Sequence, residues 1–371
     1  MPAFDLAIVG AGIMGLAHAL AAVRRGLRVV VIERDARANG ASVRNFGFVT
    51  ITGQEAGDTR RRALRSREIW EAVAREAAVD ILQRGTLFVA RRPEALAVLE
   101  EFAAGEMGDG CELLSARDAR GRLPQLRAGI AGALASPHEL RIEARDAIAA
   151  IAAWLEDRHG VVFSWSNPLL SIEGTTVRHA HGTLEAEAVV LAPGTAVGDF
   201  APQYARRVEL AQCTLQMMRI AAPGARLPAV VMSDLSLLRY GGLASLGSAA
   251  ALRERVEREC PRAIAEGIHL IVAQSSDGSL VIGDSHRHAA LAGPFASAAT
   301  DELILDELRA LLDLQRVEVT ERWLGHYAVA TVKPLLRETL APRVELVSVT
   351  NGLGMSTAFA IGEETIAGLF A

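Results

Sequence analysis

Three observations predict an α/β protein, α+β overall. First, a strand, a glycine turn, a helix and a second strand follow one another near the start of the chain, the βαβ unit of a Rossmann-like nucleotide-binding domain. Second, from Arg206 to Val281 the pattern changes to period-2 alternation with few long helices, which predicts an antiparallel sheet and the substrate domain. Third, Val344 to Ala371 again reads as strand, glycine turn and helix. The two kinds of segment alternate, so two interleaved domains are expected. Residues 1–80, 140–205 and 332–371 form the nucleotide-binding domain, and 81–139 with 206–331 form the substrate-binding domain.

Taken in order, Phe4–Val9 is an apolar strand, and a helix runs from the glycine turn to Arg25, with Gly26 as its C-cap. Arg28–Ile32 is a β-branched run ending at Glu33. Arg60–Ala77 reads as an amphipathic helix with Leu64, Trp70, Val73 and Ala77 on one side. Its Arg60-Arg61-Arg62 cluster is a solvated face rather than an anion site, because Glu68, Glu71 and Glu76 intersperse it. Gly85–Ala90 is a strand, Pro93 opens a helix, and a polar stretch continues to Gly132. Arg145–Arg158 is a helix and Gly160–Phe163 opens a strand. The alternation of Ser171–Arg178 with the turn at His181-Gly182 predicts a hairpin, and Ala188–Ala192 a buried strand stopping at Pro193-Gly194. Thr300 is the expected cap of a helix whose first turn carries Asp301 and Glu302, favourable to its dipole.

Composition narrows the function classes. Of 371 residues, 50% are hydrophobic and 22% charged, enough for a large core and against disorder. The net charge of −5 argues against general nucleic-acid binding. Cys111, Cys213 and Cys260 are too few for a disulfide scaffold and too widely spaced for a zinc motif, and no metal site is expected. Met1 to Phe4 lead straight into the first strand without a basic leader, and no apolar stretch is long enough to span a bilayer. A soluble protein in a reducing, cytoplasmic setting is expected. All basic residues but one are arginine, the exception being Lys333. A GC-rich genome accounts for the arginines and leaves the surviving lysine as a candidate functional residue.

The strongest motif is Gly10-Ala11-Gly12-Ile13-Met14-Gly15. A strand precedes it, a helix follows it, and Glu33 lies 18 residues past the last glycine. Gly10 permits the tight turn, Gly12 lets the backbone approach a pyrophosphate, and Gly15 allows close helix–strand packing. The helix N-terminus supplies unpaired N–H groups to the phosphates. Glu33, followed by Arg34, is placed to accept hydrogen bonds from ribose hydroxyls. NAD or FAD is expected here.

The segment after the ribose acid, Gly40-Ala41-Ser42-Val43-Arg44-Asn45-Phe46-Gly47, resembles the D-amino-acid oxidase family of flavoproteins, which includes glycine and sarcosine oxidases. That resemblance implies FAD. It places Ser42 on the pyrophosphate, with Val43 beside it, and Arg44, Asn45, Phe46 and Gly47 along the isoalloxazine. Leu169, after Asn167-Pro168, falls where the family's backbone clamps adenine, and Ala192 with Gly194 in the apolar strand end and turn of the family pattern. Gly352-Leu353-Gly354-Met355-Ser356-Thr357 resembles the loop and helix start covering the flavin O2 edge. Such a helix N-terminus stabilises negative charge on reduced flavin.

The same resemblance implies removal of hydride from the carbon next to an amine nitrogen, followed by imine hydrolysis. The family's substrate anchors are missing, however. The carboxylate-binding arginine of glycine oxidases falls on Tyr327, the anchoring lysine of sarcosine oxidases on Ser356, and their flavin-linking cysteine on Gly325. Non-covalent FAD is therefore expected. Candidate catalytic and anion-binding residues are Arg44, Phe46, Lys333, and His286 in the His286-Arg287-His288 run, against the ordinary reading of that run as a solvated turn. Tyr240 reads either as a closing tyrosine or as a buried strand residue, and Tyr327 and His326 as pocket or packing residues. Arg44–Gly47, Ile282–His286 and the Trp323–Tyr327 segment are similar to a branch associated with aminophosphonate breakdown. This implies 2-aminoethylphosphonate or its N-methyl form as substrate, phosphonoacetaldehyde, ammonia or methylamine, and hydrogen peroxide as products, and oxygen as acceptor, an oxidase rather than a dehydrogenase. A glycine- or sarcosine-type oxidase or dehydrogenase is one alternative, and a flavin-binding subunit of a multi-subunit dehydrogenase another. RNA modification is disfavoured by the acidic charge. Oligomeric state is left open.

Overall fold

Two sheets organise the chain, in a computed structural model that describes residues 3–330 and 333–371. The expected domain boundary at 331/332 lies outside the described residues. The first sheet runs in the order Leu335–Ala341, Val344–Val349, Gly182–Leu191, Phe4–Val9, Val29–Ile32, Val162–Ser164. The five strands from Val344–Val349 to Val162–Ser164 pair in parallel, and Leu335–Ala341 closes one edge antiparallel. A parallel sheet covered on both faces needs near-continuous apolar strands, and Phe4–Val9 shows why. Leu6 and Ile8 enter a core under the helices Ile13–Val23, Asp58–Glu76, Ala144–His159 and Gly354–Leu369, while Ala7 and Val9 enter a separate core on the opposite face.

The second sheet is antiparallel except for one parallel pair, Val230–Met232 with Ile81–Ala90. Its path is Arg287–Ala289, Ala211–Ala221, Leu280–Gly283, Ile271–Gln274, Val230–Met232, Ile81–Ala90, Gly132–Ile142, Phe48–Val49. Glu318–Val329 lies along Ala211–Ala221, and Glu112–Ser115 beside Gly132–Ile142.

Several sequence expectations change. Gly132–Ile142 is a long strand where the sequence showed only the end of a polar stretch at Gly132, and it crosses the expected boundary at 139/140. Pro137 and the polar Ser136, His138, Glu139 and Arg141 break its apolar pattern; a register shift between Arg84 and Thr86 takes up the proline. The hairpin is a three-stranded unit, Leu169–Glu173, Thr176–His179 and Gly182–Leu191, whose last strand continues into the parallel sheet. Ala249–Glu259 is a helix inside the segment read as strands. Ser297, not Thr300, caps the helix Ala298–Leu311, its hydroxyl accepting from the Thr300 N–H. The arginine cluster is not simply solvated. Arg61 and Arg62 pair with Glu364, and Arg65 one turn on with Glu363, joining Asp58–Glu76 to the C-terminal helix.

Candidate functional site

A cavity of about 340 Å³ lies where the glycine turn, the C-terminal helix start and the second sheet meet. Its glycine-turn side is built by close backbone approach. Gly10 has φ +106°, and a Cβ there would lie 2.4 Å from the Ala192 carbonyl oxygen. A Cβ on Gly15 would lie 1.8 Å from the Gly10 carbonyl oxygen, and one on Gly12 2.9 Å from Ser42 Oγ. Gly12 offers no side-chain cap to the helix Ile13–Val23, and the Ile13 N–H donates to Ser42 Oγ at 2.9 Å. Glu33 is held by the Ala11 N–H at 2.8 Å and the Asp35 N–H at 3.1 Å.

The C-terminal helix faces the same cavity. It starts at Gly354 without a side-chain cap, and Gly352, Leu353, Gly354, Met355 and Ser356 all line the space. Ser356 Oγ accepts from the Thr50 N–H at 2.8 Å, tying this helix to the edge of the second sheet. Across the cavity, Asn45 forms a turn, its amide donating to the Ala41 carbonyl and its oxygen accepting from the Gly47 N–H. The Trp323 indole N–H donates to the Arg44 carbonyl at 3.2 Å, and a Cβ on Gly325 would approach that oxygen to 2.9 Å. This fixes the 41–47 loop against the strand Glu318–Val329. None of the three cysteines lines the cavity.

The far wall comes from the second sheet. Tyr327 is buried and its hydroxyl accepts from Arg239 Nη2 at 3.0 Å; His326 lines the cavity with Nδ1 3.2 Å from Thr214 Oγ1. Tyr240 precedes the short helix Gly241–Ala244 and is not a strand residue. Burial raises both phenols above the ordinary tyrosine range. Arg239 is enclosed by protein yet open to the cavity, and neither it nor Arg44 forms an ion pair among the described residues. The acids lining the cavity are Glu55 and Asp284.

Asp284, His269 and His286 come together through an irregular register. The strands Ile271–Gln274 and Leu280–Gly283 pair Ile271 with Gly283 and Val272 with Ile282. Continued unchanged, that ladder would set His269 opposite Ser285. Instead His269 and Asp284 exchange backbone hydrogen bonds of 3.2 and 3.0 Å. This slip of one residue exchanges faces, so Asp284 and His286 share the side of His269 while Ser285 turns away to accept from the Gln216 N–H. Burial pushes the Asp284 carboxyl up to about 8, against the opposing pull of Arg239. Burial, then Arg239, lowers His269 to about 3, and burial with His269 beside it holds His286 well below the usual histidine value.

Of the residues expected from the sequence, the cavity gathers Gly12, Ile13, Met14, Ser42, Arg44, Asn45, Phe46, Ala192, Gly194, Tyr240, His286, His326, Tyr327 and Gly352 through Ser356. Gly10, Gly15, Val43, Gly47 and Thr357 lie behind this lining; Glu33, Arg34 and Leu169 lie outside it. Lys333 does not reach it: the ammonium is half exposed and 3.2 Å from Glu338. Arg287 and His288 sit in an exposed edge strand, so only His286 of that run faces the cavity. Sequence reasoning missed Arg239 and His269 and read Asp284 only as part of a segment. The placement of Arg239 directly before Tyr240 was the one available signal for it; nothing in the sequence marks His269.

A family model described as FAD dependent oxidoreductase matches residues 5–367. Among curated proteins, glycine oxidase of Geobacillus kaustophilus (strain HTA426) is 28% identical over 207 residues, covering 52% of this chain and 54% of that protein. The chain thus spans about half the length of the curated relative it matches. Among solved structures, glycine oxidase from Geobacillus kaustophilus superposes with a TM-score of 0.78 at 20% identity, covering 100% of this chain and 95% of that one. L-proline dehydrogenase from P. horikoshii gives 0.78 at 16%, covering 97% and 91%. L-alpha-glycerophosphate oxidase from Mycoplasma pneumoniae with FAD bound gives 0.76 at 15%, covering 99% and 94%. At these identities the likeness is one of fold.

Proposed function

Because the chain belongs to the DAO family of FAD-dependent oxidoreductases, we propose that it oxidises a small anionic amine at the carbon next to nitrogen. FAD is its cofactor; when bound, it supplies a hydride acceptor at N5, and the resulting imine hydrolyses to a carbonyl compound and ammonia or methylamine. The observation that carries the anionic substrate is the pair of cavity-lining guanidiniums, Arg239 and Arg44, neither with a carboxylate partner among the described residues. Positive charge left uncompensated inside a cavity is a ready anion site.

The chain's own residues divide the work. The 10–15 turn and the first helix N-terminus receive the pyrophosphate, and Glu33 is offered to the ribose. Arg239 and Arg44 hold the substrate anion, with Tyr327 keeping the Arg239 fork in place. His326, Tyr240 and Phe46 wall the reacting carbon against bulk water, which favours the neutral amine that hydride removal requires. A dianion makes fuller use of two guanidiniums than a carboxylate does, so 2-aminoethylphosphonate or its N-methyl form is the substrate we favour, with oxygen as acceptor. A glycine- or sarcosine-type substrate is the second reading, favoured by the glycine oxidase relative.

The test is anaerobic mixing of the yellow protein with glycine, sarcosine, D-alanine and the two phosphonates while the flavin bleaches. Bleaching by the phosphonates alone supports the favoured substrate, and bleaching by the carboxylates replaces it with the second reading. Bleaching by no amine refutes the proposal. Turnover by the isolated chain with oxygen separates an oxidase from a dehydrogenase or flavin-binding subunit.

A further inference from the structure

Three donor side chains converge in the cavity wall without a role in the reaction just described. His269 Nε2 lies 3.1 Å from Asp284 Oδ1, and His286 Nδ1 lies 3.8 Å from it. One donor atom from each residue can be chosen so that all three lie within 4.8 Å of one another. A tetrahedral zinc with bonds of about 2.1 Å spaces its ligands at about 3.4 Å. The backbone arrangement suits such a site, since residues i and i+2 of one strand and the cross-strand partner of the first project from one face.

The tautomers sharpen the point. His286 Nδ1 is 3.2 Å from the Gly267 carbonyl, which only accepts, so the proton is on Nδ1 and Nε2 keeps its lone pair; Nε2 is then the ring atom His286 can offer a metal, and the 3.8 Å separation above belongs to the other nitrogen. Ser236 Oγ donates to the Leu270 carbonyl and is left to accept from His269 Nδ1 at 3.3 Å, so His269 Nε2 keeps its lone pair too. Imidazoles anchored through Nδ1–H to carbonyl or hydroxyl oxygens are held in the tautomer that ligates metals. The lone pair of His269 therefore faces Asp284 Oδ1, a buried oxygen with no hydrogen-bond partner. Two lone pairs at that distance repel unless something positive lies between them. A proton on Asp284 meets that need for two of the groups; it gives no reason for the third to be there.

We infer that His269, Asp284 and His286 bind one divalent first-row cation of the zinc class, and that this cation and Arg239 together receive the oxyanion of the substrate. Two imidazoles and one carboxylate favour zinc and its neighbours over calcium or magnesium. With Asp284 ionised, the cation, Arg239 and Arg44 leave the site three charges positive, which a dianion offsets more fully than a monoanion. The substrate half of the inference rests on the function proposed above; the metal half stands without it.

The test uses the FAD-loaded enzyme, stripped with chelator, desalted and titrated with Zn²⁺ or Co²⁺. One ion per chain by elemental analysis, with visible bands from Co²⁺, is expected. Asp284→Asn and His286→Gln are expected to weaken binding at least tenfold, with flavin content and circular dichroism showing that each variant is folded; His286 is the safer of the two because it is only partly buried. Stoichiometric uptake that both variants retain overturns the site, as does uptake no greater than a chelated blank, which leaves Asp284 as a protonated acid. Stripped enzyme should then bind 2-aminoethylphosphonate at least tenfold more weakly and ethanolamine unchanged. Metal binding without that difference overturns the substrate half alone. Metal binding with no flavin bleaching by any amine leaves the site standing and refutes the proposed function.

Discussion

Replacing Arg239 with Met removes the charge on which the anionic substrate depends while keeping an unbranched side chain of similar length. A guanidinium has five N–H donors, and the one donated bond on its Nη2 goes to the Tyr327 hydroxyl. The other donors, facing a cavity and free of carboxylates, are available for a bidentate contact with an oxyanion. Two charge-assisted bonds contribute roughly 1.5 to 3 kcal/mol each, and water in an open cavity holds the total near the low end, about 3 kcal/mol. At about 1.4 kcal/mol per decade the loss is about a hundredfold in affinity. Arg239→Lys keeps the charge without the fork and should fall between wild type and Met. The assay is anaerobic stopped-flow reduction, in which the concentration dependence of bleaching gives the amine Kd and the plateau gives the limiting rate. The Kd for the anionic amine should rise about a hundredfold, that for ethanolamine should stay, and the spectrum of bound flavin should not move. Equal losses for charged and neutral amines, or none, refute the assignment of Arg239.

Further outcomes follow from other parts of the molecule. Gly15→Ala places a Cβ 1.8 Å from a backbone oxygen that cannot rotate aside, so the helix must shift off the turn, and the purified variant should have lost most of its flavin absorbance; a fully yellow variant contradicts this packing. His18 is completely buried and its pKa is lowered to about 4, chiefly by burial, against about 6.5 when unfolded. The folded value is the lower one, so this contribution is complete above pH 6.5 and is lost as pH falls toward 4, about 3 kcal/mol in all. Urea melts at pH 7 and 4.5 should show that loss in wild type and a smaller one in His18→Leu. Lys333→Met breaks one half-exposed pair with Glu338, worth about 0 to 1 kcal/mol, and should leave KM unchanged; a tenfold rise for anionic amines would restore Lys333 to the site.

The parallel sheet was legible because its signals are local. Phe4–Val9, the glycine turn and Val29–Ile32 are consecutive, and each strand is buried on both faces, so burial writes an unbroken apolar run. Gly132–Ile142 was illegible for the opposite reason. It lies inside the second sheet, with Ile81–Ala90 on one side and Phe48–Val49 and Glu112–Ser115 on the other, yet Glu139 and Arg141 serve particular polar partners. Glu139, for instance, accepts from the Ile51 and Thr52 N–H groups. A polar residue satisfied by a distant backbone looks, in sequence, like a loop residue. Lys333 misled in a related way, since rarity in the composition carries no information about which strand edge a side chain will occupy.

The cavity divides along the same line. The side proposed for the cofactor comes from contiguous motifs at 10–15, 41–47 and 352–357, where spacing along the chain is already spacing in the site. Its far wall is made by strand pairing, and there the register decides which chemistry faces inward. Tyr327 stands beside Cys213 through the pairing of Glu318–Val329 with Ala211–Ala221, and its contact with Arg239 spans 88 residues of sequence. For Asp284 and His286 the decision is finer still. The regular ladder of Ile271–Gln274 with Leu280–Gly283 would have brought Ser285 to His269, and a slip of one residue brings Asp284 and His286 instead. Removing that slip should scatter the three donors while leaving each residue, and the motif a sequence reader sees, unchanged. The character of this wall therefore resides in a backbone irregularity, and side-chain substitutions at 269, 284 and 286 test its consequences rather than its cause.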